Sequence, residues 1–259
     1  MTIRRVLLMC SMLLVASINA QPDHQIHPLV PRLGSAGHPI PGLDCNSWRL
    51  AVEANNLQGW KTVPEECEGY VGHYMMGAQY RKDCSFVAAT ATAYVSSLEL
   101  RKDRKNIWIF DIDETSLSNL PYYARPEVGF GAVPYNATTF NLWQGEANAP
   151  AIPAVLKLYK RLLRLGIKVV FLSGTPEVYR EPKERNMKKI GYHTWEFMIL
   201  KKANETGMKS VEYKSKHRAE LVMMGYRIIG NIGDQWSDLL GPYPGLRTFK
   251  LPDPMYYVS

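Results

Sequence analysis

Four short apolar runs separated by helical stretches constrain this chain more than any other feature. Residues 107–110 (Ile-Trp-Ile-Phe) form a continuous apolar segment, and 167–172, 197–200 and 228–232 are similar runs, broken only by Lys168 and Asn231, the pattern of strands buried on both faces. Between them, residues 151–165, 177–190 and 215–224 are predicted as helices. Pro150 and Pro153 suit a helix start, and Gly166, Gly191 and Gly225 stand where helices stop. Strands alternating with helices specify an α/β fold with a mostly parallel sheet. Ligands of such sheets bind beyond the carboxyl ends of the strands, so the residues that follow each run are where chemistry is expected.

The first run leads into Phe110-Asp111-Ile112-Asp113-Glu114-Thr115. Two carboxylates brought together at the tip of a buried strand repel, and one pKa rises. A divalent cation or a partner proton relieves that conflict; a capping turn rich in Asp, Glu and Thr is the bland alternative. The run 167–172 leads into Ser173-Gly174-Thr175, whose hydroxyl and glycine amide suit a phosphate oxygen, although the same tripeptide makes an ordinary turn or cap. The run 228–232 leads into Gly233-Asp234-Gln235-Trp236-Ser237-Asp238, adding two acids. Each string alone is a common turn. Acid, hydroxyl and acid delivered to one rim by three strand ends point to a site.

The remaining chain places that site in a secretory context. Arg4 and Arg5 precede an apolar run over 6–16, with small residues at Ala16, Ser17 and Ala20, the pattern of a signal peptide over 1–20. No later stretch reaches the roughly 18 apolar residues of a membrane span, so no membrane attachment is expected after cleavage. Residues 21–44, rich in Pro, Gly and His, read as an extended arm, and 45–104 as a helical part of the main domain, which runs over 45–259. Cys10 leaves with the signal. Of Cys45, Cys67 and Cys84, the first two flank a Trp-rich segment and are the favoured disulfide, with Cys84 free or joining two subunits; spacing does not fix the connectivity. Asn136-Ala-Thr138 and Asn204-Glu-Thr206 are glycosylation sequons. Loss of Arg4 and Arg5 with the signal takes the formal net charge from +7 to +5 (29 basic minus 24 acidic), a mild excess that favours anionic substrates, but no dense basic run or aromatic-basic platform points to nucleic acid. Nearly sixty residues separate Thr115 from Ser173, more than a strand-to-helix connection needs. The aromatics Tyr122, Tyr123, Tyr135, Phe140 and Trp143 within 117–149 either form a small cap over the pocket or simply pack beneath a loop.

The strings around Asp111, Ser173 and Asp234, joined by Cys45-Asn46-Ser47-Trp48-Arg49 and Val63-Pro64-Glu65-Glu66-Cys67, resemble the haloacid dehalogenase (HAD) superfamily. More narrowly, from about Cys45 onward the chain is similar to the plant class B type acid phosphatases, which include the vegetative storage proteins. The resemblance implies a HAD-like doubly wound sheet and a cap insertion after the first motif strand. It implies that Asp111 is a nucleophile forming an aspartyl-phosphate and that Asp113 is the general acid and base, with a pKa near an acidic working pH. It places Mg²⁺ on the Asp111 carboxylate, the Asp113 backbone carbonyl and Asp234, with Asp238 holding the cation's waters or the lysine. Substrate phosphate is expected at Thr115, Ser173, Gly174 and Lys214. Lys214, at the start of the helix over 215–224, is preferred to its rival Lys216. Together with the odd cysteine, the resemblance favours a homodimer.

The function these residues imply is a secreted, Mg²⁺-dependent acid phosphatase acting on small phosphomonoesters, in the cell wall, extracellular space or vacuole. A storage or defence protein with weak catalysis is the alternative. Such a protein is expected to lose the nucleophile, whereas Asp111, Asp113, Ser173 and Asp234 all stand. A phosphotransferase of the same fold differs only in the acceptor that reaches the phosphoenzyme.

Overall fold

The expected buried strands form a single parallel sheet. In the computed structural model, which describes residues 43–259, the strands are β1 (Asn106–Phe110), β2 (Lys168–Pro176), β3 (Phe197–Lys201), β4 (Arg227–Gly233) and β5 (Thr248–Lys250), in the order β3-β2-β1-β4-β5. All five residues of β1 are buried. Alternation along the strand sends Trp108 and Phe110 into one core and Ile107 and Ile109 into another, which is why the run shows no polar positions. The fifth strand is absent from the sequence reading; it is a three-residue edge strand with only Phe249 buried.

The helices are α1 (Leu43–Glu53), α2 (Glu68–Met76), α3 (Ala78–Ser96), α4 (Leu120–Tyr123), α5 (Ala137–Glu146), α6 (Pro153–Arg164), α7 (Arg180–Lys189), α8 (Ser210–Met223) and α9 (Trp236–Leu239). One face of the sheet is covered by α3 and α6, whose Ala91, Val95, Val155, Leu158 and Leu162 pack with Trp108, Phe110 and Phe171. The other face is covered by α8, through Tyr213 and Leu221 against Ile107, Ile109 and Val170. Gly166 and Gly225 both adopt positive φ (+73° and +83°) immediately before β2 and β4, a conformation that side chains resist. Helix α8 starts at Ser210, five residues earlier than the pattern predicts, so Lys214 lies inside the helix rather than at its start. No helix of the described residues is long and apolar enough to cross a membrane. The expected signal peptide, and the arm up to residue 42, lie outside the described residues.

The sheet's register assembles the site. Phe110 pairs with Phe171 on one side and Ile232 on the other, and the Asp111 N–H donates to Ile232 O (3.0 Å). The next residues of three strands therefore arrive at one edge. The connections run from β1 outward to β2 and β3 and then across to β4, so the order reverses at β1, where a crevice opens in folds of this kind.

The insertion after β1 leaves and returns through a narrow neck. Ser118 N–H donates to Pro150 O (2.9 Å), and Ile152 N–H donates to Ser116 O (3.2 Å). Within it, Tyr122, Tyr123 and Trp143 are buried, whereas Tyr135 is 64% exposed. The two readings of its aromatics thus divide by residue: most pack, and Tyr135 alone of the three tyrosines projects. Cys45 and Cys67 are joined by a disulfide. Cys84 is free, buried and pushed up to about 12 by its burial. Of the two expectations for Cys84, free or joining subunits, the first is the one seen.

Candidate active site

The residues that follow the three strands converge on one lysine. Lys214, from the second turn of α8, donates to an Asp111 carboxylate oxygen, to Leu172 O (2.6 Å) and to Asp238 Oδ1 (2.8 Å). Only 4% of Lys214 is exposed. Burial lowers its pKa, but Asp111 and Asp238 raise it further, and it stays charged. The rival Lys216 lies elsewhere, with its side chain 45% exposed and paired to Glu205.

Asp111, Asp234 and Asp238 bring carboxylate oxygens within 4.8 Å of one another. Burial, and then mutual repulsion, raise two of them. Asp111 is well above the usual carboxylate range despite the opposing pull of Lys214. Asp234 is pushed up to about 7, chiefly by burial and the Asp238 charge. One ammonium among three carboxylates leaves an excess of negative charge, and the donors are all hard oxygens. That set fits a divalent cation of the Mg²⁺ type. Asp234 is also held firmly: Thr115 donates its hydroxyl to Oδ1 (2.9 Å) and Gln235 Nε2 donates to Oδ2 (2.9 Å). Thr115 is fully buried. Its hydroxyl is engaged by Asp234.

The Asp113 carboxylate is engaged by different partners. Its Oδ1 accepts from Lys183 Nζ (2.8 Å) and Asn119 Nδ2 (2.9 Å), and its Oδ2 accepts from the Thr175 hydroxyl (2.9 Å). Burial raises this carboxyl, but the Lys183 charge and the three donors outweigh it and hold the pKa below the ordinary value. The sequence reading expects a pKa near the working pH; in the free protein the shift runs downward instead. Neighbouring Glu114, fully buried at φ +53°, is pushed up to about 8 by burial and by Asp234 and Asp113.

Ser173 is buried at the end of the apolar part of β2, its Oγ donating to Thr175 Oγ1 (3.0 Å) and accepting from Thr175 N–H (3.1 Å). Gly174 beside it is exposed, with open space where a side chain would project. Both sequon asparagines, Asn136 and Asn204, are exposed. Asn136 also caps α5, its Oδ1 accepting from Thr138 and Thr139 N–H. The side chains that sequence reasoning misses are Lys183, Asn119 and Tyr256. Thr175 and Gln235 lie within strings already singled out, but their roles depend on contacts that no spacing encodes.

The family model for acid phosphatases of HAD superfamily subfamily IIIB matches residues 32–259. This chain belongs to that family. It is 44% identical to Acid phosphatase 1 of Solanum lycopersicum, over 83% of this chain and 84% of the relative. It is 42% identical to Vegetative storage protein 2 of Arabidopsis thaliana, over 83% and 80%. Its fold is that of the class C acid phosphatase from Bacillus anthracis, with a TM-score of 0.61 at 19% identity over 73% of this chain and 85% of that one. The family is thus that of the acid phosphatases, with plant storage proteins among its relatives.

Proposed function

We propose that the protein is a secreted, Mg²⁺-dependent acid phosphatase that hydrolyses small phosphomonoesters through an aspartyl-phosphate on Asp111. One observation carries the reading: Asp111 is fixed by Lys214 beside two further carboxylates, while Asp113, two residues on, is turned to a separate set of donors. Two carboxylates of one strand end thus have different surroundings, which suits them to different work.

In this reading an Asp111 oxygen attacks phosphorus, the ester P–O bond breaks, and protonated Asp113 gives its proton to the leaving oxygen. Asp113 then takes a proton from water, the water oxygen attacks phosphorus, and the P–O bond to Asp111 breaks, releasing phosphate. Lys214 holds the Asp111 carboxylate in place and balances charge on the transferring oxygens, to which Ser173 and the Gly174 amide also donate. Asp111, Asp234 and the Asp113 carbonyl would hold Mg²⁺, with Asp238 orienting Lys214. When bound, the ion supplies positive charge to the phosphate oxygens. The partly exposed insertion covers the substrate's organic part through Tyr135. The signal-peptide pattern over 1–20 and the sequons at Asn136 and Asn204 support a destination in the cell wall, extracellular space or vacuole.

The similarity to a vegetative storage protein supports storage as a second role. It does not displace catalysis, because Asp111, Asp113, Ser173, Lys214 and Asp234 are all present. Hydrolysis of an aryl phosphate by wild type and Asp111→Asn, from acidic to neutral pH with Mg²⁺ or EDTA, tests the proposal. Activity is expected at acidic pH, lost with EDTA, restored by Mg²⁺ and absent in a folded Asp111→Asn. An inactive wild type under every condition leaves storage as the function.

A further inference from the structure

The segment after β5 forms no regular element, yet it reaches the carboxylates. Leu251, Asp253 and Met255 are almost wholly buried. Gln235 fastens the segment: its Nε2 lies within reach of Asp253 Oδ2 (3.0 Å) and Tyr256 O (3.3 Å), and its Oε1 accepts from Val258 N–H (2.9 Å). Gly131, at φ +94°, lets the insertion close onto the same segment, since a Cβ there would stand 1.9 Å from Met255 O. Fixed in this way, the Tyr256 hydroxyl lies 3.1 Å from Glu114 Oε2 and 3.4 Å from Asp234 Oδ2. Its ring stacks on Tyr123 of the insertion at 5.4 Å between centroids and 23° between planes.

We propose that Tyr256 is a positioning residue that orients the Asp234 carboxylate for cation binding and ties it to the insertion. The proposal rests on the cation reading above. Glu114 and Asp234 are both buried carboxylates, and among the described residues the Tyr256 hydroxyl is the one side-chain donor within hydrogen-bond distance of both, with a single proton to give to one or the other. Without it, the two buried carboxylates lose the side chain that links them, and Asp234 keeps only its Thr115 and Gln235 contacts. Outer contacts of this kind fix the direction in which a ligand presents its lone pairs. The ring is held by stacking on Tyr123 and its backbone by Gln235, so the hydroxyl does not follow Asp234 if it moves.

Tyr256→Phe removes the hydroxyl and keeps the stacked ring. Mg²⁺ is titrated against melting temperature and, separately, against aryl phosphatase activity, for wild type, Tyr256→Phe and Tyr256→Leu. In Tyr256→Phe the Mg²⁺ concentration giving half of each response is expected to rise about 10–100-fold, with kcat at saturating Mg²⁺ within a few-fold of wild type. Tyr256→Leu should show the same loss of affinity and, in addition, a lower melting temperature without metal. A Tyr256→Phe protein whose melting temperature falls while its Mg²⁺ midpoint stays at the wild-type value overturns the proposal and leaves the residue a packing role. A wild type that responds to Mg²⁺ in neither readout overturns the cation reading itself, and this inference with it.

Discussion

Lys183→Met removes the ammonium 2.8 Å from Asp113 and retains most of the side chain's volume. The two side chains are 4% and 17% exposed, so water screens the pair weakly. An opposite charge this close lowers a carboxyl's pKa, and its removal raises Asp113. Asp113 acts first as an acid, and the fraction able to donate falls once pH exceeds its pKa. The alkaline limb of the kcat/KM profile is therefore expected to move to higher pH, carrying the optimum toward neutrality. Stability moves with it. Because the folded pKa lies below the unfolded value of about 3.9, the pair's contribution is complete above that pH and lost as pH falls through the folded value. At pH 7 the variant leaves a largely buried carboxylate unpaired, at a cost of about 3–5 kcal/mol. Near pH 4 the cost shrinks, because the carboxyl takes up a proton. Urea denaturation at both pH values measures this, with Asp113→Asn and the double variant as controls, since a neutral amide has no need of the ammonium. Equal destabilisation at the two pH values, or an unmoved pH–rate profile, refutes the reasoning.

Replacing Lys214 by Met should lower kcat about 10²–10³-fold, whereas Lys216→Met should stay within two-fold, by direct assay on one aryl phosphate. Gly230→Ala places a methyl 2.3 Å from the Trp108 ring, which is itself stacked on Phe249; calorimetry should show a loss of about 1–3 kcal/mol. Cys45→Ser opens a disulfide between residues 22 apart in sequence. It should cost about 3 kcal/mol in denaturant titrations, with no further loss on adding reductant.

The parallel core was legible because its strands are buried on both faces, so that Ile107, Trp108, Ile109 and Phe110 form an unbroken apolar word. β5 escaped because three residues with one buried position carry no period. The start of α8 escaped because Lys209, its N-cap, makes no side-chain cap and so leaves no capping signature. At the site, Asp111, Ser173 and Asp234 could be read directly: each follows a buried apolar run, and register brings those runs' ends together. Lys183, Asn119 and Tyr256 could not, because each reaches the carboxylates through packing of a helix, a neck or an irregular segment. Thr115 shows the limit of motif reading. Its position in the string was clear, but the hydroxyl's partner was Asp234. The direction of the Asp113 shift was hidden for the same reason, since it depends on a lysine 70 residues away.

The central claim is that the phosphoryl group passes through Asp111. Rapid acid quenching of the enzyme during turnover of a ³²P-labelled phosphomonoester, followed by peptide mapping, tests it most directly. The expected result is label on the peptide containing Asp111, acid-stable, released by hydroxylamine and absent from Asp111→Asn. Turnover by wild type with no labelled protein at any quench time, or label that persists in Asp111→Asn, contradicts it.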